Sequence, residues 1–157
     1  TKAEPLAGYY ACSIPSTKNN IFGRASGGLA TYISHKVRLT ATQLTSSMPS
    51  AQIIRIDNLR IGDTSKSIIV VNCYLTGQGA TKKLTADNLA NRLEALLLKF
   101  PTFEFLIVGD FNIEHLDSEY MTPKHGVQIQ TFLKNHNFMS LQNRFLAGNK
   151  KQQGKYI

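Results

Sequence analysis

Two short apolar runs set the strongest limits on this chain. Ser67–Leu75 reads SIIVVNCYL and Glu104–Val108 reads EFLIV, both dense in branched and aromatic residues. Runs of that length and composition form strands buried on both faces or set in a sandwich core. Neither approaches the roughly 18 apolar residues that span a bilayer. Between them the periodicity changes. Leu89, Leu93, Leu96, Leu97 and Phe100 recur as one face of a helix. Thr85 or Asp87 is the expected cap, and Pro101 ends the helix. Two strands that need covering and a helix with one apolar face call for a shared core.

The remaining segments extend this pattern. Residues 1–26 are rich in Gly, Pro, Ser and Asn and read as irregular. Gly27–Ser34 and Lys36–Thr42 alternate as strands, the first with Leu29, Thr31 and Ile33 on one side. Thr45–Ser50 is a polar break. Gln52–Asp57 and Leu59–Ile61 are short β segments, followed by a turn at Gly62–Ser65. A second helix is expected over about Gly126–Asn135, with Ile129, Phe132 and Leu133 inward. Phe138–Leu141 reads as a strand, and the tail from Asn143 is polar and basic. No repeat or linker divides the chain, so residues 1–157 are expected to form a single domain. Strands dominate the first half and helices alternate with strands in the second. That order predicts an α+β fold, a layered β-sandwich flanked by helices. At 157 residues the chain can bury a substantial core.

Charge narrows the partners. Lys and Arg total 18 against 10 Asp and Glu, a net charge of +8. Such a balance favours polyanions, nucleic acid first and a membrane surface second. The plain alternative is a basic surface that aids solubility. The two cysteines, Cys12 and Cys73, form no disulfide framework and no zinc spacing. Their usage points to an intracellular location, with the nucleus within that range. No apolar signal-peptide core occurs in the first 15 residues.

The chemistry concentrates in Phe105–Asn112, FLIVGDFN. A buried strand there emits a carboxylate, Asp110, and two positions later a carboxamide, Asn112. Continued extension would put both on one side. Gly109 admits a close backbone or substrate. A carboxylate can orient or deprotonate water, and an amide can donate to a phosphoryl oxygen as charge develops. The plain alternative is a local Asx turn. Tyr74 ends the other apolar strand, where its phenol can reach a phosphate in the same cleft. Arg24, in GRASGGLA, sits at a Gly-rich strand start suited to a phosphate contact. None of His35, His115, His125 and His136 lies in a ligand-pair pattern, so surface or capping roles are expected. Asp117 and Glu119 are loop acids beside the motif.

GRASGGLATYIS, IIVVNCYL, a helix and FLIVGDFN occur in one order. The set resembles the endonuclease/exonuclease/phosphatase superfamily, most closely the apurinic-site-type endonuclease domains of non-LTR retrotransposons. The resemblance covers about residues 8–157. It implies a divalent-metal-dependent phosphodiesterase that cuts DNA, with RNA as a second candidate substrate and no membrane partner. Asp110 would activate water and contribute to holding Mg²⁺ or Mn²⁺. Asn112 and Tyr74 would contact the scissile phosphate, Arg24 a backbone phosphate, and Asn72 would support them. The family pattern has Pro near Thr76, a minor loop departure.

The resemblance also carries expectations about the ends. The family's principal metal-binding Glu would precede Thr1, and its terminal Ser-Asp-His motif would follow Ile157. Gly154–Ile157 looks like the approach to the strand that bears a further Asp. The domain is thus expected to be incomplete, with weak or no activity in isolation. Open strand edges would then favour a homo-oligomer or a companion chain. The alternative function is an inactive nucleic-acid-binding or self-associating protein built on a nuclease core.

Overall fold

β5 (Thr64–Tyr74) is the strand around which the layers assemble in the computed structural model. Residues 4–16, 28–37, 40–44, 48–75, 79–114, 116, 121 and 123–140 are described. The elements in order are β1 (Tyr9–Ile14), β2 (Leu29–Ser34), β3 (Ala41–Leu44), β4 (Ala51–Ile61), β5, α1 (Gly79–Lys99), β6 (Glu104–Asp110) and α2 (Val127–Asn135). β1 and β2 form an antiparallel pair. The larger sheet has the order β3-β4-β5-β6, antiparallel except for the parallel β5–β6 pair.

Alternation along β4 and β5 sorts the side chains onto two faces. Ala51, Ile53, Ile69, Val71 and Cys73 join the core that α1 and α2 cover. α1 contributes Ala86, Leu89, Ala90, Leu93 and Leu96 to it, Phe100 joins from just beyond the helix, and α2 contributes Ile129 and Phe132. Each fully buried Ile or Leu there stabilises the fold by about 1.5–3 kcal/mol relative to exposure. On the opposite face Ile54 meets Cys12 and Ile33 of the small sheet, flanked by Val37, Ala41, Ile56 and Val70. The result is an α+β sandwich: small sheet, large sheet, helices. None of its described helices is long and apolar enough to cross a membrane.

Several elements depart from their sequence-based expectations. Tyr9–Ile14 is a strand, not irregular chain. Only Cys12 in it is buried, and Tyr9 and Tyr10 are exposed, so clean alternation is lacking. The expected Lys36–Thr42 strand is displaced to Ala41–Leu44, because residues 35–37 form a turn. β4 is one strand with a bulge between Ile56 and Leu59. Asn58 takes φ 52° there and donates its N–H to Ser67 Oγ at 3.2 Å, so the ladder resumes after one irregular step. Only Gly62 and Asp63 form the turn to β5.

α1 starts at Gly79, ahead of both expected caps. Thr85 instead donates its hydroxyl to the Thr81 carbonyl within the helix, at 2.9 Å. Its other end is held by Phe100, whose ring lies under Lys99 and Arg55 at 5.5 and 5.7 Å. α2 matches its expected span. Phe138–Ser140 is not strand, and Leu141 onward, including the basic tail, lies outside the described residues.

The two cysteines lie on opposite sides of the large sheet, Cys12 in β1 of the small sheet against Ile54 and Cys73 on the helix-covered face. Both are free and buried. Burial raises the Cys12 thiol pKa and pushes that of Cys73 from 9.0 up to about 12. A raised folded pKa stabilises the fold fully below the unfolded value. That contribution is lost as pH climbs from about 9 to about 12. Urea stability should therefore fall across this window, less steeply in Cys73→Ala. Neither thiol should react with a thiol reagent at pH 8 until the chain unfolds.

Candidate functional site

The C-terminal ends of β5 and β6 bring the strand-end residues together. The parallel register pairs Tyr74 with Asp110 and Cys73 with Gly109. Tyr74 and Asp110 therefore leave the sheet on the same face, opposite the helices. Gly109 makes the pairing possible. It has φ 132°, and a Cβ there would overlap the Cys73 carbonyl. Leu75 N–H donates to the Asp110 carbonyl at 2.9 Å and closes the strand end.

Asn112 does not continue the strand. Its φ is 50°, a left-handed conformation that Asn tolerates better than most residues. Its backbone N–H donates to Asp110 Oδ1 at 3.0 Å, and its Nδ2 donates to the Leu75 carbonyl at 3.1 Å. Simple alternation is thus corrected to an Asx turn folded back on β5. The turn preserves chemistry. Asp110 keeps Oδ2, and Asn112 keeps a second Nδ2–H and its Oδ1. Asp110 and Asn112 are exposed and Tyr74 is half-buried.

Behind this group runs a chain of side-chain hydrogen bonds between the sheets. Asn72 Nδ2 donates to Thr31 Oγ1 at 3.1 Å, and Thr31 donates to Gln52 Oε1 at 2.6 Å. Gln52 Nε2 donates onward to Gln43 Oε1 at 3.4 Å. Gln52 is 1% exposed, so its amide requires these partners. Asn72, two residues before Tyr74, thereby ties β5 to β2. Thr31 and Gln52 were missed as site-supporting residues. Their signal was a polar side chain on an otherwise apolar strand face.

Arg24, His115, Asp117, Glu119 and Thr76 lie outside the described residues. His136 is structural: it caps α2, packs on Phe132 at 4.7 Å and contacts Glu94 of α1 at 3.0 Å. Among the described residues no group of three or more His, Cys, Asp or Glu lies together. Asp110 is the carboxylate of the strand-end group. A hard divalent cation takes oxygen ligands, commonly one or two carboxylates with water and phosphate oxygens. The Asp110 carboxylate is a donor of that kind.

The layered α+β architecture and its strand-end Tyr, Asp and Asn define a domain of the endonuclease/exonuclease/phosphatase type. The chain belongs to the endonuclease-reverse transcriptase family, whose model matches residues 68–156. That match takes in β5 from Ile68 onward, both helices, β6 and the GDFN turn. Neither a curated protein nor a solved structure matches the chain.

Two substitutions test the local design. Gly109→Ala should cost more than about 3 kcal/mol in urea unfolding, because the clash is with backbone that cannot rotate away. Thr31→Val should cost about 1–3 kcal/mol by leaving the Gln52 oxygen buried without a donor, read as a lowered melting temperature.

Proposed function

We propose that the chain carries the phosphate-cleaving core of a retrotransposon-type endonuclease acting on DNA, with a divalent cation as cofactor. The observation that carries this reading is the pairing of Tyr74 with Asp110 at adjacent strand ends, with Asn112 turned back beside them. Family membership supports the same reading.

Asp110 Oδ1 is committed to the Asn112 N–H, so Oδ2 is the oxygen that orients the attacking water and accepts its proton. One Nδ2–H of Asn112 is held by Leu75, leaving the other to donate to a phosphoryl oxygen. The Tyr74 hydroxyl donates to the same phosphate. A new P–O bond to water forms as the P–O bond to the leaving deoxyribose oxygen breaks, and that oxygen takes its proton from solvent. The Asp110 carboxylate would help to hold Mg²⁺ or Mn²⁺, and a cation bound there would neutralise phosphate charge. Arg24 and the net charge of +8 favour the DNA backbone, with RNA the second substrate. The location that suits this substrate is intracellular, the nucleus included.

A second reading rests on the net charge of +8 and on β6, an edge strand of the sheet among the described residues. In it the chain binds nucleic acid without cutting, or associates through that edge with a second copy or a companion chain.

Nicking of supercoiled plasmid with Mg²⁺ separates the two. Asp110→Ala should lower the rate by about 10²–10⁴-fold while leaving DNA affinity within about twofold. An unchanged rate in Asp110→Ala overturns the mechanism. Binding without nicking, weakening steeply with salt, supports the second reading. Neither nicking nor binding at low salt overturns both DNA readings.

A further inference from the structure

The segment after the GDFN turn is fastened to α2 at both ends. At the near end Ile113 follows Asn112 and packs against the helix-covered core. Gly126, the residue that caps α2, has φ 88° and lies against Ile113. A Cβ on Gly126 would stand 2.5 Å from Ile113 Cδ1 but 3.4 Å from its Cγ2. Ile113 Cδ1 therefore fills the space that the missing side chain leaves. At the far end Gln130, 6% exposed, donates Nε2 to the Met121 carbonyl at 3.0 Å. Pro123 is fully buried between these two fastenings. The Gly126 carbonyl accepts the first helical N–H, that of Gln130, at 3.0 Å, so the Gly126 notch and the Gln130 latch move as one body with α2.

We propose that Ile113 and Gly126 are positioning residues, and that α2 sets the orientation of the Asn112 amide through the seat of Ile113 in the Gly126 notch. Asn112 is exposed and left-handed, and its one distant bond reaches the Leu75 carbonyl. Ile113 is its immediate covalent neighbour and is anchored in the core. Displacing Ile113 would rotate the Asn112 peptide and draw Nδ2 away from Leu75. The inference rests on the proposed phosphate role of Asn112 for its catalytic consequence, but its structural part stands apart from that role.

The notch allows a test by complementary change. Gly126→Ala pushes on Ile113 Cδ1, and Ile113→Val removes that atom while keeping Cγ2. In ¹⁵N-resolved NMR of this chain, Gly126→Ala should shift the Asn112 side-chain amide signals. Gly126→Ala/Ile113→Val should return them towards the unsubstituted positions. In the plasmid assay with Mg²⁺, Gly126→Ala should lower kcat by about tenfold with KM within about twofold, and the double variant should recover most of the loss. Backbone strain of Ala at positive φ is common to both variants, so recovery isolates the contact. If Gly126→Ala does not fold, Ile113→Ala empties the notch without that strain and should shift the same amide signals. Unmoved Asn112 signals in the folded single variant, or equal shifts in the single and double variants, overturn the inference. Absence of nicking by the unsubstituted chain counts against the proposed function alone, and the NMR comparison then decides the positioning role.

Discussion

The β5–β6 pair closes at its C-terminal end because Gly109 has no side chain. The Cys73 carbonyl occupies the space a Cβ would need. With that approach allowed, the parallel register carries through to Tyr74 and Asp110. Leu75 N–H can then bind the Asp110 carbonyl, and the Leu75 carbonyl is in place for the Asn112 amide. Each step requires the one before it. A side chain at position 109 would part the strands where the chemistry is grouped, and the rest of the sheet could not compensate.

The large sheet divides its work between its faces. The helix-covered face is apolar from Ile53 and Ile69 to Cys73, with Arg55 at its margin over Phe100, and makes the strands stiff. The other face changes character along its length. Ile54 and Val70 pack under the small sheet, Gln52 and Asn72 form a polar link to Thr31, and Tyr74 and Asp110 reach towards solvent. A gradient from dry to wet along one face suits a site that must meet a charged backbone while standing on rigid strands. The helices matter to it indirectly. α1 and α2 are joined by His136 and Glu94, and α2 in turn holds the chain beyond Asn112.

Legibility in the sequence followed the strength of the local signal. β5 and β6 as strands and the buried face of α1 are legible because apolar residues fill strand-length runs or recur at helical spacing. The burial expected of β6 is corrected: it is an edge strand among the described residues, with Leu106 and Val108 exposed. β1 was not, since Tyr9 and Tyr10 are exposed and Cys12 alone is buried. The start of α1 was misplaced because no acidic residue or Ser/Thr cap marks Gly79, while Thr85 resembles a cap inside the helix. Asp110, Asn112 and Tyr74 stood out by type and order. Thr31, Gln52, Ile113 and Gly126 did not, because their roles come from partners distant in the chain.

The amino-acid order by itself determined that two apolar strands would be joined through an amphipathic helix, and that the second would end in Gly-Asp-Phe-Asn. Those are consequences of short-range periodicity and backbone preference. Tertiary structure alone decided that these strands run parallel as neighbours and that Tyr74 faces Asp110. It also decided that Asn112 turns back to Leu75 instead of extending. Register is set by contacts across strands, and a left-handed residue is chosen by the hydrogen bonds it can complete. Both depend on atoms brought together only when the layers close.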